Sequence, residues 1–208
     1  MEITQSGADR ARTLSRGDTI SLALFVIAGA AIAAWTAWNA AARIVELAGG
    51  GSVQVLVEFL DTRADARIGA ATLPVELDRG AITVEGLGTM GVVSGILGQL
   101  AFAITVIVVV SCLILLSRNI LRGSVFSRTN TRIVAVGGGV GLVGAAASHF
   151  FDNMLSNAAM AQVIDGAFDT AVISIEPFTF VLGAFAIAVV GSVFVVGDRL
   201  QKDTEGLV

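Results

Sequence analysis

The amino-acid sequence predicts an all-α integral membrane four-helix bundle, with a small extracytoplasmic β-rich insertion between spans one and two and a short helix/strand segment between spans three and four. Three observations predict it. Of 208 residues only 14% are charged, against about 25% in soluble domains. Hydrophobic residues make up 55% and the mean hydropathy is +0.84, more apolar surface than one soluble core of this length covers. Four runs free of Asp, Glu, Lys and Arg also occur, at residues 20–42, 91–116, 133–151 and 178–197. Each is near the length of about 20 residues that a hydrocarbon core of about 30 Å demands of a helix. A helix also satisfies its own backbone hydrogen bonds, which hydrocarbon requires.

Basic residues set the expected orientation, because short cytoplasmic flanks hold the excess of Lys and Arg. The N-terminal tail, residues 1–19, carries Arg10, Arg12 and Arg16, and a basic turn at 117–132 carries Arg118, Arg122, Arg128 and Arg132. The tail at 198–208 carries Arg199 and Lys202, whereas the segment at 152–177 has neither Lys nor Arg. Both termini are therefore expected on the cytoplasmic side. Trp35 and Trp38 then fall at the outer end of span one, with Phe150, Phe151 and Phe178 at similar depth, as an aromatic belt. An alternative for span one is a secretory signal cleaved after Ala40-Ala41-Ala42. Its apolar run is longer than the roughly 7–15 residues of a signal core.

The outer insertion, 43–90, alternates Val53, Val55, Val57 and Phe59 on one side, the period of a strand. Shorter strands at Thr72–Leu77 and Ala81–Leu87 flank Asp78-Arg79-Gly80, whose composition predicts a hairpin turn. Within 152–177, Met154–Ile164 reads as a helical extension and Ala171–Ile175 as a short strand.

Composition removes several function classes. A net charge of −4 without any dense basic run argues against nucleic acid as a direct ligand. One cysteine, Cys112, cannot form an internal disulfide. Gly139-x-Gly141-x-x-Gly144 follows Ile133–Val136 in the outline of a dinucleotide fingerprint, with Asp165 beyond it. No soluble region completes the sheet such a site needs, so no cofactor is expected. The same glycines fit a packing face made of Gly137, Gly141, Gly144 and Ser148, since small residues let membrane helices approach closely. Span one offers Gly29, Ala33 and Ala37, span two Gly91, Gly95 and Gly98, and span four Ala184, Ala188 and Ser192. Such faces serve packing within the bundle or a homo-oligomer.

His149 and Asp152 stand one helical turn apart and form a candidate pH-sensitive pair, with a polar cap as the plainer alternative. Gln99 is expected to bond between helices. Glu58, Asp61, Glu76 and Glu85 read as solvated surface. No nucleophile with its base, carboxylate pair or metal-ligand set gathers at one depth, so no catalytic or metal residues are expected.

The stretch Arg118-Asn119-Ile120-Leu121-Arg122-Gly123-Ser124-Val125-Phe126-Ser127-Arg128-Thr129-Asn130 resembles a Gly-x-x-Phe-x-x-x-Asn signature. That signature joins the second and third spans of domain of unknown function family 2975, small four-span bacterial membrane proteins. The ending Phe194 to Val208 is similar to that family's C-terminal pattern. The resemblance implies a multi-pass protein of the bacterial cytoplasmic membrane, associated by analogy with small helix-turn-helix regulators. It marks a candidate partner-binding face of Arg118, Arg122, Gly123, Phe126, Arg128, Asn130, Asp203, Thr204 and Glu205. Physically, Gly123 is expected to cap span two, Phe126 to fold back on the membrane interface, and Ser127 or Asn130 to cap span three. The expected function is non-enzymatic, through contacts with the lipid bilayer and a protein partner. The alternative is a lipid or small apolar ligand binder, using a cavity between the Gly-rich helices and the outer β-domain.

Overall fold

The computed structural model describes residues 16–68, 71–122, 125–163 and 177–205. In chain order they form α1 (Arg16–Ala48), β1 (Ser52–Ile68), β2 (Ala71–Glu85), α2 (Thr89–Leu121), α3 (Arg128–Val163) and α4 (Pro177–Glu205). All four helices are long and apolar enough to cross a membrane. The segment Ala171–Ile175, predicted as a strand, lies outside the described residues, as do Gly123 and Asp165.

Polar side chains inside the helices are satisfied locally. Ser94, Thr105, Ser111, Ser148 and Ser192 each donate to the carbonyl four residues earlier, at 2.5–2.9 Å, which is how hydroxyls are tolerated where water is absent. Pro177 opens α4, where its missing N–H is among those that have no partner within the helix and its fixed φ suits the first turn.

Each helix packs on its neighbour in sequence, α1 on α2, α2 on α3 and α3 on α4, and among the described residues no extended packing joins α1 to α4. The bundle is thus open. Glycines set the approaches: a methyl group at Gly137 or Gly141 would meet Cys112 or Val109 of α2, and one at Gly144 would overlap Thr105. One at Gly29 would meet Val110 and Ile114.

Two expected small-residue faces depart from the sequence reading, one in part. On α1 Gly29 is buried and Ala33 half-buried as expected, but the stripe continues through Thr36, Ala40 and Leu47, with Ala37 exposed. On α4 the residues turned inward are Gly183, Ile187, Gly191, Phe194 and Gly197, whereas Ala184, Ala188 and Ser192 are exposed. The reason is periodicity. Steps of four residues drift about 40° per step on a 3.6-residue helix, and alternating threes and fours hold one face.

The β-insertion also departs from expectation. Instead of three short strands, β1 and β2 form one long antiparallel ribbon, pairing Ser52 with Glu85 at one end and Ile68 with Ala71 at the other. Asp78-Arg79-Gly80 lies inside β2, where Gly80 opposes Val57 and Arg79 opposes Glu58. The triplet has turn composition because it sits at a register shift between Glu58 and Thr62, and bulges use the same residues as turns.

The apolar face of β1 packs against the last turns of α3, beside the end of α1 and the start of α2. Val53, Val55 and Val57 are buried with Val84, Leu87 and Leu47 against Leu155, Ala159 and Met160. The expected helical extension from Met154 is therefore the sheet's platform, continuous with α3 through Val163. Gly50 and Gly86 take left-handed φ values of 67° and 63° where the chain turns into and out of the ribbon, a conformation glycine adopts without steric cost.

Candidate functional site

Apart from the mid-helix packing face of Gly137 to Ser148, the residues singled out by sequence fall into two regions near opposite ends of α3. At the turn end, Ser127 caps α3 by accepting from the Asn130 amide at 3.2 Å, as the N-cap position requires. Asn130 is fully buried. Its side chain accepts from Asn119 Nδ2 at 2.8 Å and donates to the Val125 carbonyl at 2.9 Å, so it pins the last turn of α2 to the turn itself. Asn130 therefore acts inside the fold and presents no surface to a partner. Phe126 is half-buried and packs edge-on against Phe194 of α4, ring centroids 5.9 Å apart, over the space left by Gly197. Around this clamp Arg118, Arg122, Arg128 and Arg132 are all exposed, as is Asp203 on α4. The side chains of Thr204 and Glu205, like Gly123, lie outside the described residues.

At the hairpin end, the structure assembles a group that sequence spacing does not reveal. His149 and Asp152 of α3, close enough to interact electrostatically, line a cavity of about 330 Å³. Arg43 of α1, Gln99 of α2, Glu58 of β1 and Arg79 of β2 complete its polar lining. Glu58, read from sequence as solvated, is three-quarters buried at its side chain and bonded to Arg79 at 2.7 Å across the strands. Glu76 and Glu85 are exposed as expected; the Asp61 side chain is outside the described residues.

Local interactions fix this lining. Arg43 bonds Glu46 at 2.7 Å and donates to the Gln54 carbonyl, tying the end of α1 to β1. Gln162 clamps the strand-to-helix linker by donating to the Gly86 carbonyl at 2.7 Å and accepting from the Gly88 amide at 3.2 Å. Gly98 makes room for the carboxylate, since a Cβ there would stand 3.2 Å from Asp152 Oδ1. The sequence pairs His149 with Asp152 and marks Gln99 separately. The missing signal was the strand register that brings Glu58 and Arg79 above them.

The stretch with the dinucleotide-fingerprint outline, Ile133 to Gly144, is mid-helix throughout, so it has none of the strand–turn–helix geometry in which such glycines hold a pyrophosphate. No group of three or more His, Cys, Asp or Glu with metal-binding geometry occurs among the described residues. The chain matches no protein-family model, no curated protein and no solved structure.

Proposed function

We propose that this is a non-enzymatic multi-pass membrane protein that works through protein contacts, with its exposed arginine rim on the cytoplasmic side of a bacterial inner membrane and the hairpin outside. In this reading it tethers or senses for a small helix-turn-helix regulator. The observation that carries the contact reading is the continuity of α3. Its 36 residues hold Asn130 in the turn clamp at one end and Leu155, Ala159 and Met160 in the hairpin core at the other. At about 1.5 Å per residue that is roughly 54 Å of one rigid element, so a load on the hairpin is borne by the helix that anchors the turn. The regulator as partner rests on the motif resemblance of the turn and C-terminus, and the orientation rests on the arginine distribution.

The experiment is in-cell photocrosslinking from Arg128 and Asp203, both exposed, with Glu76 as the control on the hairpin. Capture of a small DNA-binding protein from the turn positions alone is the expected result. Capture that persists unchanged when Arg118, Arg122 and Arg128 are all reversed to Glu removes the arginine rim from the reading.

A second reading, an apolar ligand or lipid binder, is favoured by a groove of about 910 Å³ along α4, lined by Phe126, Phe185, Ala188, Val193 and Leu200. Narrowing it with Ala188→Leu is expected to weaken retention of an apolar molecule in gentle detergent. Equal retention by the variant rejects this groove as the site.

A further inference from the structure

We infer that the cavity beneath the hairpin is a binding site for a zwitterion, an ammonium group joined to a phosphate, of the kind carried by phosphatidylethanolamine head groups. The cavity is separate from the groove along α4; the inference gives the lipid-binding reading a different site and does not depend on the contact reading.

Charge comes first. Arg43 and Arg79 supply two cations, Glu58 and Asp152 two anions, and His149, Gln99, Asn153 and Ser156 supply further polar groups. Within this lining the formal charges balance, with Glu46 beside it paired to Arg43, so a ligand of single sign gains one pair and opposes the other. A neutral molecule with separated charges engages both. The charges are also pre-positioned, because Arg43 is held by Glu46 and the β1 backbone and Arg79 by Glu58. Holding the receiving groups before the ligand arrives lowers the ordering cost of binding.

Size and surroundings agree. A volume of about 330 Å³ is at the small end of ligand sites, which run from about 300 Å³ upward. An apolar cavity stays dry, but one lined by charges at this size takes up water or a solute. Five elements, α1, β1, β2, α2 and α3, each contribute polar side chains, whereas the grooves lower on the helices are lined almost wholly by apolar residues.

Depth points to an amphiphile as one source. Crossing the hydrocarbon takes about 20 residues, and that count runs from Arg118 back to Gly98 on α2 and from Arg132 forward to Asp152 on α3. Gly98 and Asp152 indeed adjoin one another, so both helices reach the same boundary there, at the floor of the cavity. Because among the described residues no extended packing closes α1 onto α4, the α2–α3 pair below that floor stays open to the bilayer on that side. A lipid head group is at this height without leaving its leaflet. A free phosphoethanolamine-like molecule shares the chemistry and arrives from water.

The test uses the full chain in mild detergent, titrated with short-chain phosphatidylethanolamine, short-chain phosphatidylglycerol or free O-phosphoethanolamine and read by native mass spectrometry. One phosphatidylethanolamine is expected to be retained, with phosphatidylglycerol at least tenfold weaker. Asp152→Asn and Arg79→Gln are each expected to weaken retention at least tenfold, and Glu76→Gln, exposed on the hairpin away from the cavity, to leave it unchanged. O-phosphoethanolamine binding as tightly as the lipid assigns the site to a free solute, and binding of the lipid alone assigns it to the head group. Should a charge variant fail to fold, Gln99→Leu, which suits an apolar helix, gives the same readout. Equal retention of phosphatidylglycerol, indifference to the cavity variants, or no retained molecule at all overturns the inference.

Discussion

Gly139 and Gly144 stand five residues apart on α3, yet a methyl group added at the first meets open space and at the second overlaps the Thr105 side chain. Opposite signs follow. Gly139→Ala is expected to stabilise by about 0.5–1 kcal/mol, the usual gain from replacing a mid-helix glycine. Gly144→Ala is expected to destabilise by roughly 1–3 kcal/mol through overpacking, because Thr105 is fixed by its bond to the Ala101 carbonyl at 2.6 Å. Unfolding midpoints in a common detergent check both, and equal shifts would refute the packing described. Asn130→Leu removes the acceptor for Asn119 and the donor for Val125. Leaving such buried groups unpaired costs about 1–3 kcal/mol each, so the turn is expected to become the first site of proteolysis. The capping role of Ser127 was legible in sequence, as Ser before a helical run. The burial of Asn130 was not, since it depends on Asn119 from the preceding helix.

At the level of elements, the hairpin separates into two halves at its bulge. From Ser52 to Val57 the inward side chains are buried against α3, and beyond the bulge none of the described side chains is buried. Two-stranded ribbons without a packed face are marginal in water. Amide hydrogen exchange is therefore expected to be slow over 52–58 and fast over 63–67, and uniform protection would contradict this division. Leu47 of α1, 1% exposed, joins the ribbon core and covers Gly95. Leu47→Ala is expected to cost about 2–5 kcal/mol, while Leu56→Ala, on the exposed side of β1, stays within about 0.5 kcal/mol. The valine alternation made the buried face of β1 readable. The strand partner was not, because Asp78-Arg79-Gly80 has one composition for two uses, and only pairing distinguishes a bulge from a turn.

For the molecule as a whole, four apolar helices were legible because hydrocarbon imposes length and composition directly. The cavity was not, because its polar lining comes from residues between Arg43 and Ser156, brought together by strand register and by Gly98. The open arrangement likewise left no mark in hydropathy, which records that a residue meets an apolar medium and not whether that medium is lipid or another helix. Since α4 packs on α3 alone among its extended contacts, a chain stopped before Pro177 is expected to keep the hairpin as docked as in the full chain. Exchange at the Gly88 amide, bonded to Gln162, measures this. Faster exchange in the shortened chain would show that α4 supports the other end after all.

The in-sequence packing of α1 on α2, α2 on α3 and α3 on α4 also bears on the order of synthesis. Each helix after the first packs on the one made just before it, so the contacts are local in sequence and assembly can follow the ribosome. The ribbon is the exception. Val53, Val55 and Val57 emerge about 100 residues before Leu155, Ala159 and Met160, the surface that covers them. Between those moments the nascent chain carries an uncovered valine face, and α3 is the element whose arrival ends that exposure.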